Sequence, residues 1–193
     1  MKIDIILAGV GGQGILSIAA TIGLAALKND LYLKQAEVHG MSQRGGDVQS
    51  NLRLSDKPIH SDLIALGQAD LIISVEPMEA LRYLPYLAKD GWVITNDQPF
   101  KNIPNYPEME DVLAELNKIS QKIIINADQI ARDLESPRSA NMVILGAASP
   151  FLNMDYDSLE DAIRRQFGSK GEEVVDVNIN AIRAGREFAL KNK

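Results

Sequence analysis

Two clusters in this 193-residue chain hold residue types that could do chemistry. The apolar run Ile3–Ala8 feeds directly into Gly9-Val10-Gly11-Gly12-Gln13-Gly14, and further on comes His39-Gly40-Met41-Ser42-Gln43-Arg44-Gly45-Gly46. Gly9, Gly11 and Gly14 match the G-x-G-x-x-G pattern in the setting its mechanism requires, between a strand and a helix. Glycines let the backbone turn tightly and come close to an anion, and a helix start offers unpaired N–H groups at the positive end of its dipole. Gly12 adds a further unshielded amide, and Gln13 a side-chain donor and acceptor. The loop is thus a candidate site for a phosphate or another anion; the plainer alternative is a glycine turn needed only for close strand–helix packing. A dinucleotide is a weaker match, because the acidic ribose-binder expected at the end of the second strand is represented only by Glu37, and His39-Gly40-Met41 follows it.

The second cluster lies just past a strand, where open α/β sheets place ligands. Arg44, followed by Gly45-Gly46, would put a guanidinium on a conformationally free backbone, suited to a phosphate or carboxylate. Ser42, Gln43, Gly45 and Gly46 join it as candidate binding residues. The alternative is a polar turn with Arg44 paired to a surface carboxylate. His39 is a candidate proton carrier, since its ordinary pKa is near neutrality, or equally a hydrogen-bonded structural histidine. Glu76-Pro77 and Asp97 follow strands in the same manner and could line the same cleft, although an exposed helix-start carboxylate accounts for Glu76 as well. His60, near Pro58, reads as a turn residue, and the methionines share no spacing.

The elements that must position these residues alternate strand and helix from end to end. That pattern predicts a three-layer α/β/α fold with a mainly parallel or mixed central sheet and a Rossmann-like first βαβ unit. Strands are expected at 3–8, 31–38, 47–54, 69–75, 91–96 and 122–126. Strand 47–54 alternates apolar and polar residues, as an antiparallel or near-edge strand would. Helices are expected from the glycines to Lys28, over 77–87, 108–119 and up to Leu134, after Ser136-Pro137, from Ser158 with its capping-box partner Asp161 to Phe167, and from Glu173 onward. Residues 97–107 hold three prolines and read as a surface loop. Without repeats or a linker, residues 1–193 read as a single domain.

Composition narrows the function. A net charge of −6 with no Lys/Arg-rich run argues against a nucleic-acid surface. The sequence has no cysteine, so this chain offers no thiolate for catalysis, disulfides or an iron–sulfur cluster. Two histidines cannot build a three-histidine zinc site. The amino-terminal segment reads as a core strand rather than a signal peptide, no apolar run has membrane-spanning length, and a cytoplasmic location is the expectation.

Gly-Val-Gly-Gly-Gln-Gly-Ile after the first strand, with Glu37-Val-His-Gly-Met-Ser-Gln-Arg-Gly-Gly46 after the second, closely resembles the gamma subunit or domain of the 2-oxoacid:ferredoxin oxidoreductases. The His-Gly-Met-Ser-Gln-Arg-Gly-Gly form is most similar to the small-subunit branch that serves indolepyruvate. The resemblance extends over most of the chain, including 69–77 and Asn141-Met-Val-Ile-Leu-Gly146. It implies a subunit that is silent alone and works with a large partner chain carrying thiamine diphosphate, magnesium and the iron–sulfur clusters. The complex would convert an aryl 2-oxoacid, coenzyme A and oxidised ferredoxin to aryl-acetyl-CoA, CO2 and reduced ferredoxin. The glycine loop and Arg44 would then be candidates for meeting coenzyme A phosphates. Two rivals remain: a free-standing NAD(P)- or flavin-dependent oxidoreductase, and a nucleotide or CoA sensor without a large partner.

Overall fold

The computed structural model describes residues 1–39, 45–101 and 103–193, apart from the side chain of His39. Six strands form one sheet: β1 Lys2–Val10, β2 Tyr32–His39, β3 Asp47–Ser55, β4 Ala69–Ser74, β5 Leu87–Asn96 and β6 Lys122–Ile125. Their spatial order is β2-β3-β1-β4-β5-β6. Strands β1, β4, β5 and β6 run parallel, whereas β3 is antiparallel to both of its neighbours. The mixed sheet and the antiparallel run at 47–54 agree with the sequence reading. The first βαβ unit differs from a Rossmann unit in one respect: β3 intrudes between β1 and β2.

Alternation along each strand divides the core between two faces. Ile3, Ile5 and Leu7 of β1 join one cluster with Leu71, Ile73 and Ile94, and Ile6 joins the other with Ile72 and Val93. Helix α1 (Ile15–Lys28) lays Ile15, Ile18, Ala19, Ile22, Ala25 and Ala26 on the first face at helical spacing. The same layer contains α4 (Ala127–Asp133), α5 (Ala140–Ala148), α6 (Tyr156–Phe167) and α7 (Glu172–Asn192). The short α2 (Pro77–Arg82) and α3 (Met109–Asn117) cover the second face. Helix α5 is buried from Met142 to Ala148. It lies so close to α7 that a Cβ at Gly146 would meet the Ile182 carbonyl and one at Gly185 the Val143 carbonyl.

Three boundaries depart from expectation for local reasons. Helix α2 stops at Arg82 because Pro85 lies in the following 3-10 turn, Leu84–Tyr86, and β5 starts at Leu87 rather than Gly91. Helix α6 starts at Tyr156, with Asp155 as its cap accepting from the Asp157 N–H (3.4 Å). Ser158 is already inside the first turn, its hydroxyl donating to the Asp155 carbonyl (2.5 Å). Helix α7 buries Val175, Asn178 and Ile179 on its core side, leaving Val174 and Val177 to line a cavity.

At the amino edge of the sheet Asp4 is 1% exposed. Arg53 donates to it twice, Nε to Oδ1 at 2.8 Å and Nη2 to Oδ2 at 3.0 Å, and Lys2 pairs with it at 2.8 Å. Arg53 also donates to the carbonyls of Ser61 and Leu63, fastening the β3–β4 connection under the sheet.

Candidate functional site

The carboxyl ends of β1, β4, β5 and β6 meet at one edge, and the glycine loop sits there. Gly9 is the last but one residue of β1, and its role is packing: a Cβ would meet Val75, Ile15 at 2.9 Å and the Gln13 amide oxygen at 3.1 Å. The Gln13 side chain braces the loop, its Oε1 accepting from the Val10 N–H (2.7 Å) and its Nε2 donating to the Val75 carbonyl (3.5 Å). Its acceptor is thus engaged inside the protein, and one amide proton remains for a ligand. Gly14 caps α1 in the left-handed region (φ 82°), and a Cβ would collide with the Asn141 amide. That amide donates to the Gly14 carbonyl at 3.2 Å, so α5 holds the start of α1. Gly12 (φ 101°) faces open space, with nothing within 4 Å of a hypothetical Cβ. Its N–H has no acceptor among the described residues. The amides of Ile15 and Leu16, in the first turn of α1, lack intrahelical partners.

The last two residues of the second motif arrive at the same place. Because β3 is antiparallel to β1, its first residues pair with the last of β1, Val10 with Asp47 and Gly9 with Val48. Gly11 N–H donates to the Gly46 carbonyl (2.8 Å), and Gly45 N–H to the Gly11 carbonyl (3.5 Å). Gly45 and Gly46 are thereby stitched to the glycine loop. Gly40, Met41, Ser42, Gln43 and Arg44 lie outside the described residues, as does the side chain of His39. The inserted β3 moves Glu37 two strand spacings from β1, roughly 10 Å. That is too far for the ribose contact a dinucleotide fold makes from an adjacent strand.

Side chains at the ends of β4 and β5 complete the edge. Asn96, 5% exposed, uses both ends of its amide: Nδ2 donates to Asp128 (2.7 Å) and to the Val75 carbonyl (3.5 Å), and Oδ1 accepts from the Ala127 N–H (3.1 Å). Glu76 and Glu79 are each 1% exposed, so Glu76 is no exposed helix-start carboxylate. Burial pushes the Glu79 carboxyl above its ordinary 4.5, while Arg82 at 2.8 Å pulls it down and Glu76 and Asp47 add to the rise. A raised carboxyl keeps its proton in the folded state at a pH where the unfolded chain has released it. Its contribution to stability therefore falls as pH rises from 4.5 through the raised value. Relative to Glu79→Gln, the native chain is expected to lose stability over that interval. Urea unfolding of both proteins at several pH values measures the slope, and parallel profiles would show that Arg82 fully offsets burial.

Behind the glycine loop, on the α1 face, an open cavity of about 1020 Å³ runs between α1, α4, α5 and the α6–α7 corner. It lies at the upper end of the ~300–1,000 Å³ range of small-molecule sites. Gly12, Gln13, Gly14 and Asn141 line it, and the sequence reading missed two cations that line it too, Arg138 and Lys170. Glu135 in the left-handed region (φ 56°) ends α4 sharply, and the 3-10 turn Pro137–Ser139 then carries Arg138 to the rim. Lys170 ends the turn Gly168–Lys170 ahead of Gly171 (φ 101°), its ammonium 5.3 Å from the Phe167 ring centre. Neither cation forms an ion pair among the described residues, although Asp128, Glu135 and Glu173 also line the cavity. In a chain of net charge −6, unpaired cations lining the same cavity as free backbone N–H groups define an anion-friendly pocket. Their only advance signal was the pair of chain-turning sequences around them, Glu135-Ser136-Pro137 and Gly168-Ser169-Lys170-Gly171.

The pyruvate ferredoxin/flavodoxin oxidoreductase family matches residues 4–188, and the chain belongs to it, as a gamma-type subunit of the 2-oxoacid:ferredoxin oxidoreductases. It is 36% identical over 204 residues to the indolepyruvate oxidoreductase subunit IorB of Archaeoglobus fulgidus, covering 100% of this chain and 98% of that one. The subunit of the same description from Methanothermobacter thermautotrophicus is 36% identical over 194 residues, covering 96% of each chain. The fold also matches, with a TM-score of 0.77 and 23% identity, the 2-oxoglutarate:ferredoxin oxidoreductase of Magnetococcus marinus, solved with 2-oxoglutarate, coenzyme A and succinyl-CoA bound. That match covers 98% of this chain and 31% of that one.

Proposed function

We propose that residues 1–193 form, as one domain, the small subunit of an indolepyruvate:ferredoxin oxidoreductase, and that the cavity at the carboxyl edge receives coenzyme A. The observation that carries this reading is identity of 36% along nearly the whole length of subunits described as belonging to indolepyruvate oxidoreductase. The donor set fits coenzyme A: Gly12 N–H, the open first turn of α1, Arg138 and Lys170 are all groups that grip phosphate. Gly45 and Gly46, hydrogen-bonded to the glycine loop, support the sequence assignment of Ser42, Gln43 and Arg44 as further binding residues and of His39 and Arg44 as catalytic candidates.

The residues present do not fit the metal cofactors. The sequence has no cysteine, and no group of three His, Asp or Glu able to hold a metal ion occurs among the described residues. Thiamine diphosphate, magnesium and the clusters are assigned to a large partner subunit. Bound there, they supply decarboxylation of the 2-oxoacid and the electron path to ferredoxin. This chain orients the coenzyme A phosphates and walls the cleft. No described helix is long and apolar enough to cross a membrane. We place the complex in the cytoplasm, with ferredoxin as its acceptor.

Co-expression with the large subunit, followed by pull-down and an indolepyruvate-, CoA- and ferredoxin-dependent reduction assay, tests the reading. Activity only with both chains present is the expected result. No complex, with NAD(P) or flavin bound by the lone chain, would overturn it.

A further inference from the structure

Glu76 is buried at the end of β4 with no lysine or arginine in contact among the described residues. Three segments satisfy it instead. Its Oε2 accepts from the Glu79 N–H (2.8 Å), which caps α2. Its Oε1 accepts from the Phe100 N–H (3.3 Å) and from the Tyr106 hydroxyl (2.5 Å), both on the chain that follows β5. Burial and the facing carboxylate hold the Tyr106 hydroxyl well above the ordinary tyrosine pKa, so it stays a donor. Capping α2 requires one carboxylate oxygen; the other is devoted to the segment 100–106. Phe100, 44% exposed, lines the cavity together with Arg138 and with Val75, the residue before Glu76. The Val75 carbonyl in turn receives Gln13 and Asn96. A glutamine at 76 could accept at only one of its two ends.

We propose that Glu76 is a positioning residue that, through the Tyr106 hydroxyl and the Phe100 backbone, sets the Phe100 wall of the cavity and thereby the affinity for coenzyme A. The proposal rests on the assignment of that cavity to coenzyme A.

The test uses the two-subunit complex, with CoA and 2-oxoacid varied separately, on Tyr106→Phe and Glu76→Gln, with Arg138→Ala as reference and thermal unfolding of each complex alongside. Loss of one hydrogen bond in Tyr106→Phe is expected to raise KM for CoA roughly 3- to 10-fold, with kcat and the 2-oxoacid KM within about twofold and the melting temperature lowered by only a few degrees. Glu76→Gln is expected to move KM for CoA further in the same direction. An unchanged CoA KM in Tyr106→Phe, where Arg138→Ala raises it, would reduce Glu76 to a helix cap and overturn the proposal. So would a joint change in kcat and both KM values with a lowered melting temperature, the mark of a merely structural role. If Arg138→Ala also leaves CoA kinetics untouched, the assignment of the cavity itself has failed.

Discussion

Gly146→Ala is expected to destabilise the protein by about 3 kcal/mol, and Gly146→Val to prevent stable folding. Two effects of opposite sign compete at this position. Alanine is the better helix former, by about 1 kcal/mol, and with nothing nearby would strengthen α5. Here the new methyl would land on the backbone carbonyl of Ile182, and α7 presents Gly185 to the Val143 carbonyl in the same way. A flexible side chain could move aside at little cost. A helix backbone moves only with its whole helix, and α5 is buried from Met142 to Ala148. The steric term therefore wins. Thermal unfolding should show a fall of roughly 6–12 °C for the alanine variant in a domain of this size. An unchanged or raised midpoint would mean that α7 can slide away from α5, and that the contact of the two helices is softer than their glycines indicate.

Arg138→Ala combined with Lys170→Ala is expected to raise KM for CoA by roughly 100-fold in the assembled complex, each lost cation costing a charge-assisted hydrogen bond. The pair lines the same cavity as Gly12 and Gly14, and neither cation forms an ion pair among the described residues. Removing them leaves no buried partner unsatisfied, so stability should stay within about 0.5 kcal/mol of the native protein. The native complex should also show a steeper loss of CoA affinity with ionic strength than the double variant, because interactions between exposed charges are screened. Equal CoA kinetics at low salt would remove the cavity as the coenzyme A site, whatever the activity of the complex.

The sequence made the glycine loop, the α/β alternation and the pairing of the two glycine-bearing motifs legible, because each rests on local periodicity or on glycine chemistry. The antiparallel sense of β3 was foreshadowed by its Val48, Ser50, Leu52 and Leu54 alternation. Its insertion between β1 and β2 was not, since strand order depends on which edges pair across long separations. Glu76 shows a second limit. Its neighbours Ser74 and Pro77 mark a strand end and a helix start, but Phe100 and Tyr106, which account for its burial, come from a proline-containing loop with no periodic signal. Arg138 and Lys170 were hidden for the same reason: each lies in a 3-10 turn of three residues, and only the packing of α5 and α7 brings them to one cavity.

The inserted strand also sets where the chain can change length. β3 is in continuous register with both neighbours, from Lys2–Ser55 to Val10–Asp47 on one side and from Tyr32–Ser55 to His39–Val48 on the other. A slip of one residue would exchange Leu52 and Leu54 for Asn51 and Arg53 on the α1 face, so the strand itself tolerates no insertion. Only the two connections at its ends can absorb one. The first is tied to the glycine loop through Gly45 and Gly46, so added residues there would disturb that contact. The second starts at the opposite edge of the sheet, and its stretch 57–60 is largely exposed before Arg53 fastens Ser61 and Leu63. Tags, linkers or natural insertions belong at 57–60, where the molecule can grow without disturbing the glycine-loop edge.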